Sequence, residues 1–353
     1  MLRKVIFSFL LSCVLLANPQ PLWGKPSITA TNAVLIEAES GKILYNKDAF
    51  QPKPPASTTK ILTALLALEL TNAEDIVTVS ENAASTGEAS IHLIAGEKLT
   101  VEQLTKGAMI KSGNDAAVAL AEHVAGNVEL FSLLMNQKAR LLGASHSNFV
   151  NPNGLPDERH LSTAYDLAVI AKYALSKKMF ADVVDEKHET IPFNGQGKRY
   201  LRNTNQLLWK YAGANGVKTG TTRAAGSCLV ASAKRNNLQL VSVVLKSGDR
   251  YGDSIRLLDY GFENFAVQYI PKHTVWGQVS IVDNEGTKTI PAKTAKPLVL
   301  VYPSSQSNLV ERRLELDRTA SPFDQYLQVG KLSLYIDKEK KASVPLMISL
   351  PAS

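Results

Sequence analysis

The stretch "PPASTTKILTALLALEL", residues 54–70, sets the tightest condition on the fold. Two prolines end whatever regular structure precedes it, since proline fixes φ and has no N–H to donate. A nearly continuous apolar run follows, including Ile61, Leu62, Ala64, Leu65, Leu66 and Leu68. A helix apolar over so much of its circumference is stable only when other elements enclose it. The chain must therefore build a layered core around residues 58–71. Lys60 stands inside this run, three residues after Ser57. A lysine in an enclosed helix needs a chemical reason.

The N-terminus indicates the compartment. Arg3 and Lys4 precede an apolar stretch over 5–17, and a short polar segment leads to Leu22-Trp23-Gly24. That is the order of a secretory signal peptide, too short for a permanent span, so residues 1–24 are expected to be removed. The apolar run continues past Cys13, which argues against a lipoprotein site there. One cysteine remains, Cys228. An exported chain with a single thiol has no internal disulfide framework and depends on a packed core. Loss of Arg3 and Lys4 takes the net charge from +7 to +5, a weak attraction for polyanionic envelope polymers. Without a basic run interleaved with aromatics, no nucleic-acid partner is expected, and no segment after residue 24 approaches a membrane span.

Residues 25–266 alternate strands and helices. A hairpin is expected from Ala33, Val34, Leu35 and Ile36 through a Ser40-Gly41 turn to Ile43, Leu44 and Tyr45. Helices are expected over 58–71, 101–109, 114–124, 128–142, 163–175 and 253–265. Between the last two, "GVKTGTT" and "SCLVASAKRNNLQLVSVVLKS" read as strands, with Asn236-Asn237 as a turn. Helices on an antiparallel sheet make an α+β or three-layer domain. After a linker over 267–274 the pattern changes to period 2: Val279 and Ile281, then Leu332, Leu334 and Ile336, then Val344, Leu346 and Ile348. The turn Asp283-Asn284-Glu285-Gly286 separates two of these segments. Residues 267–353 are expected to form a small all-β sandwich.

Ser57 and Lys60 share a helical face, and Ser57 falls at a helix start, where backbone N–H groups favour developing negative charge. Burial lowers a lysine's pKa. A partly neutral lysine can take the proton of a serine hydroxyl. Taken alone, S-x-x-K also fits a capping serine and a snorkelling lysine. Two further motifs decide between these readings. "KSGNDAA" places Ser112 and Asn114 just before a helix, and "GVKTGTT" places Lys218, Thr219 and Gly220 on a strand. The order S-x-x-K, S-x-N, K-T-G is the motif set of penicillin-binding proteins and β-lactamases.

The chain resembles the D-alanyl-D-alanine carboxypeptidases among the low-molecular-mass penicillin-binding proteins. Supporting stretches include "GEKLTVEQLTKGAMIKSGNDAAVALAEH", "NPNGLPDERHLSTAYDLA" and "SGDR", and they cover most of residues 30–265. The resemblance implies a β-lactamase/transpeptidase-like domain followed by an extra β domain. It implies that Ser57 is the nucleophile that forms an acyl-enzyme, that Lys60 is its base, and that Ser112 helps shuttle a proton to the leaving amine. Asn114, Lys218, Thr219, Gly220 and Arg250 would hold substrate, with Arg250 and Thr219 on its terminal carboxylate. The backbone N–H groups of Ser57 and Thr221 would form the oxyanion hole.

Peptidoglycan stem peptides are the implied substrates and β-lactams the implied covalent inhibitors. No cofactor is implied, and the six histidines fall in no metal-binding pattern. Alternatives on the same motifs are a cross-link endopeptidase, a β-lactamase and a non-catalytic penicillin sensor. Glu158 lacks the neighbours of a deacylating glutamate. Some family members end in an amphipathic helix, and no such segment is evident in this sequence. An exported, extracytoplasmic protein without a membrane anchor is expected.

Overall fold

In the computed structural model the apolar helix runs Lys60–Leu70, and Lys60 through Ala67 are all buried. A short 3₁₀ turn, Ala56–Thr59, precedes it. The structure describes residues 24–195, 197–283, 286–316, 319–320 and 326–349. The expected leader lies outside them except for Gly24, as do Cys13 and the turn residues Asn284 and Glu285.

Helices Val101–Ile110, Asn114–Ala125, Val128–Leu141 and Ala164–Leu175 surround the apolar helix. Their starts are fixed locally. Thr100 and Gln103 form a reciprocal capping box, and the side chains of Asn127 and Thr163 accept from backbone N–H groups of the next two helices. Such caps satisfy donors that a helix start otherwise leaves open. Leu62, Leu65, Leu104, Leu120, Phe131 and Phe149 meet in the resulting core.

The helices lie on a five-stranded antiparallel sheet. Its order is Ile43–Lys47, Asn32–Glu37, Leu238–Ser247, Gly226–Arg235, Ala214–Thr222. Alternation divides each strand between two cores: Val241, Val243 and Leu245 join the helical core, while Leu238, Leu240 and Val244 face the other way. Helix Arg250–Asn264 covers that second face through Leu257 and Leu258. It starts at Arg250, three residues earlier than expected, because the Asp249 side chain caps it by accepting from Gly252 N.

An all-β domain follows. Its six-stranded sheet encloses Val279, Ile281, Leu332, Leu334, Ile336, Val344, Leu346 and Ile348, the residues singled out by period-2 spacing. The expected linker is corrected in part. Residues Phe265–Ile270 form a strand directly after the helix and pair antiparallel with Leu298–Pro303. This ribbon serves two cores at once. Phe265, Val267, Val299 and Val301 pack on the back of the first sheet, and Ala266, Ile270, Leu298, Leu300 and Tyr302 pack into the β domain. Lys42 Nζ adds a 2.7 Å bond to Val301 O across the junction. No single described helix is long and apolar enough to cross a membrane.

Candidate active site

Lys60 has no exposed surface, and its amine has three partners. Nζ lies 3.0 Å from Ser57 Oγ, 2.6 Å from Asn114 Oδ1 and 2.7 Å from Asn153 O. Asn114 is oriented by its own amide, whose Nδ2 donates to Gly87 O at 3.0 Å, so the atom facing Lys60 is an acceptor. Asn153 O can only accept. A neutral amine has two N–H groups, which these two oxygens take. Its lone pair is then left for the third direction, toward the Ser57 hydroxyl. Burial holds the Lys60 pKa well below the ordinary lysine value, and the nearby Lys218 charge lowers it further against Asp115 and Glu88. The geometry and the electrostatics both favour an amine that can accept the Ser57 proton.

The 3₁₀ turn that carries Ser57 is clamped from two sides. Ala56 has φ +49°, a conformation unusual for a residue with a Cβ. Gly154, at φ +85°, lies so close that a Cβ there would run into the Ala56 carbonyl. On the other side, His160 Nε2 lies 2.8 Å from Thr59 Oγ1, and its Nδ1 accepts from Val150 N at 3.1 Å. Nδ1 is therefore unprotonated, and Nε2–H donates to the threonine. Burial lowers the His160 pKa to about 4, although the Asp157 charge opposes this.

Strand Ala214–Thr222 forms the opposite wall. Gly220 lies against the turn, since a Cβ there would stand 3.0 Å from both Ser57 N and Pro55 O. Lys218 is buried and donates to Thr219 O at 3.0 Å. Burial and the Arg250 charge lower its pKa to about 7. Thr219 Oγ1 lies 2.7 Å from Thr204 Oγ1. Arg250 Nη1 donates to Gly220 O at 3.0 Å, Thr221 Oγ1 at 2.7 Å and, more weakly, Cys228 O at 3.4 Å. All three bonds use Nη1, so the other edge of the guanidinium is available to a ligand carboxylate.

Ser112 is also buried, and it takes a left-handed φ of +69° before the Asn114 helix. No hydrogen bond among the described contacts joins it to Lys60. Next to Asn114, the buried Asp115 carboxylate accepts from Ile91 N, Leu93 N and Ser90 Oγ. It thereby fixes the loop whose Gly87 carbonyl orients Asn114. Asn203, Asn205 and Asp166 bond backbone groups of the scaffold. Among the described residues, no group of three or more His, Cys, Asp or Glu side chains could hold a metal ion.

The geometry suits serine acyl transfer, and the comparisons give the family. The peptidase S11 family, described as D-alanyl-D-alanine carboxypeptidase, matches residues 20–248. The chain belongs to this family. DacF, a D-alanyl-D-alanine carboxypeptidase of Bacillus subtilis, is 36% identical over 90% of this chain and 84% of its own length. DacC of Escherichia coli, with the same description, is 34% identical over 92% of this chain and 84% of its own. Penicillin binding protein 5 from Haemophilus influenzae superposes with a TM-score of 0.75 at 30% identity, covering 92% of this chain and 98% of its own. The Streptomyces K15 DD-transpeptidase gives 0.64 at 34% identity, with 68% of this chain matching 99% of that one. The carboxypeptidase is thus a serine-type hydrolase that removes a terminal D-alanine. These matches do not favour the alternatives.

Asn153, Gly154, His160 and Thr204 were not singled out from the sequence. Asn153 acts through its carbonyl and Gly154 through a missing side chain, and neither leaves a side-chain signal. His160 and Thr204 lie in "NPNGLPDERHLS" and "RNTNQLL". Only the fold brings them to the site.

Proposed function

We propose that this carboxypeptidase acts on peptidoglycan stem peptides through an acyl-enzyme on Ser57. The supporting observation is the 3.0 Å contact between Ser57 Oγ and a fully buried Lys60 amine whose other two partners are both acceptors. Lys60 takes the Ser57 proton as Oγ attacks the carbonyl between two D-alanines. Ser57 N and Thr221 N stabilise the oxyanion, and Ser112 passes a proton to the departing amine. Lys218, Thr219 and Arg250 hold the terminal carboxylate, while Asn114 holds both the substrate amide and Lys60. Gly220 keeps the strand backbone close enough for substrate to lie along it. Water then releases the shortened peptide.

In this reading the protein works outside the cytoplasm, after loss of residues 1–24, and needs no cofactor. The β domain from residue 267 positions the enzyme or binds a partner. Penicillins acylate Ser57 and stay attached, because the ring-opened drug keeps its leaving group tethered. The test is mass analysis of stem pentapeptide and of penicillin-treated protein. Loss of one alanine and a single adduct on Ser57 are expected, with both abolished in Ser57→Ala. An adduct that persists in Ser57→Ala would overturn the assignment.

A further inference from the structure

The hairpin of His188–Phe193 and Gly197–Arg202 has two unlike faces. Ile191, Arg199 and Leu201 are buried on the inner one, where Arg199 fixes the hairpin by bonding both Glu97 oxygens at 2.6 Å. The outer face is a ladder of cross-strand pairs: Pro192 with Lys198, Thr190 with Tyr200, and His188 with Arg202. All six of these residues are exposed. We propose that this outer face, with Trp209 at its end, is a docking surface for an acidic glycan of the cell envelope, a chain of sugar rings carrying carboxylates. The proposal goes beyond the acyl-transfer site and rests on the extracytoplasmic reading above.

Charge gives the sign of the ligand. Glu189 is the only acid in residues 188–202. It shares the inner side with its register partner Leu201, and pairs with Lys106 at 2.8 Å. The outer face therefore carries Lys198 and Arg202 with no carboxylate of its own strands between them. The side chains of Lys198, Tyr200 and Arg202 make no hydrogen bond or ion pair among the described residues. The two cations stand about 13 Å apart along the strand, so a ligand that meets both is an oligomer.

The rings give its class. Tyr200 is 81% exposed and Trp209 38%. A shallow hollow of about 220 Å³ lies among His188, Thr190, Tyr200 and Arg202. The Arg202 guanidinium lies 5.4 Å from the centre of the Trp209 ring, and the His188 ring meets the same indole edge-on at 5.5 Å. Flat apolar rings suit the C–H faces of sugars, while the hydroxyls of Thr190 and Tyr200 suit sugar hydroxyls. An acidic peptide would satisfy the cations but not the rings, and a neutral glycan the rings but not the cations. The face also leads to the active site. Arg202 precedes Thr204 by two residues, and Thr204 Oγ1 lies 2.7 Å from Thr219 Oγ1. A polymer held here keeps the enzyme at the wall without entering the site.

Calorimetric titration of the protein at low salt tests this with four six-unit probes: hexagalacturonate, neutral chitohexaose, hexaglutamate and hexathymidylate. Hexagalacturonate should bind at least about threefold more tightly than each of the others, since only it meets both rings and cations as a sugar chain. Tyr200→Ala should weaken it by about three- to tenfold. The double variant Lys198→Gln/Arg202→Gln should weaken it by about four- to twentyfold and flatten its salt dependence. Turnover of a soluble tripeptide should stay native in both variants, which shows them folded. Absence of hexagalacturonate binding, a smaller preference over any other probe, or binding unchanged in either variant overturns the proposal. Any of these with tripeptide turnover intact strikes the hairpin face alone and leaves the carboxypeptidase reading standing.

Discussion

Two buried lysines face each other across the site, and their partners differ. Lys60 has three hydrogen-bond partners, while Lys218 has one, the carbonyl of the next residue. Replacing Lys60 by methionine leaves Asn114 Oδ1 and Asn153 O without their donor, at about 1–3 kcal/mol each. Lys60→Met should therefore not stabilise the protein, and it should slow penicillin acylation by about 100- to 10,000-fold. Acylation of the native enzyme should rise with pH through a pKa well below an ordinary lysine's.

Lys218 predicts the opposite effect on stability. Its folded pKa is about 7, so below that pH the folded state carries a buried charge. Between about 7 and 10.5 the unfolded chain binds the extra proton, and stability rises with pH. Lys218→Met should raise the melting temperature at neutral pH while reducing turnover. A lower melting temperature would show that the charge is better solvated than its burial implies. Arg250→Ala should weaken acid substrates by about 1.5–3 kcal/mol and amidated ones hardly at all. Equal losses with both would remove Arg250 from the carboxylate site.

At the scale of elements, the loop over 150–160 holds the serine turn through one histidine ring. His160 titrates at about 4 when folded and near 6.5 when unfolded. Its neutral-state contribution, roughly 2–4 kcal/mol, is present above pH 6.5 and is lost as pH falls through about 4. Protonation also removes the acceptor for Val150 N. Chemical denaturation across this window should show that loss, and His160→Gln should flatten it. An unchanged slope would assign the acid sensitivity to other groups. This loop marks the limit of sequence reading. The helices were legible because their apolar residues fall on shared faces, the K-T-G strand because it precedes β-rich segments, and Ser57, Lys60 and Asn114 because motif order carries chemistry. The clamp was not legible, because it consists of a carbonyl, an absent Cβ and a ring bonded to main chain. The hairpin of His188–Phe193 and Gly197–Arg202 was also missed. Its surface is mostly polar, and what anchors it is Arg199, buried against Glu97 and the Ile91 and His92 carbonyls. An ion pair of that kind has no periodicity.

At the scale of the whole molecule, the ribbon of Phe265–Ile270 and Leu298–Pro303 couples two domains that composition separates. Each strand alternates between two cores, so cutting the chain at the helix end removes Val267, Val299 and Val301 from the back of the catalytic sheet. A fully buried aliphatic side chain is worth about 1.5–3 kcal/mol, and Val301 is one such residue. A chain of residues 25–264 should therefore melt lower than the full protein and bind a hydrophobic dye over Tyr45, Tyr260 and Phe262, which pack in that cluster. Its active site should survive. Ser57, Lys60, Asn114, Lys218 and Arg250 all lie in the retained part, and the K15 DD-transpeptidase is matched almost entirely by 68% of this chain. The measurement is penicillin acylation and tripeptide turnover in the truncated protein, at a temperature where circular dichroism shows it folded. Native-like acylation with a lowered melting point is the expected result. A folded truncation that no longer acylates would mean that the ribbon reaches the chemistry, through the sheet whose far edge carries Gly220.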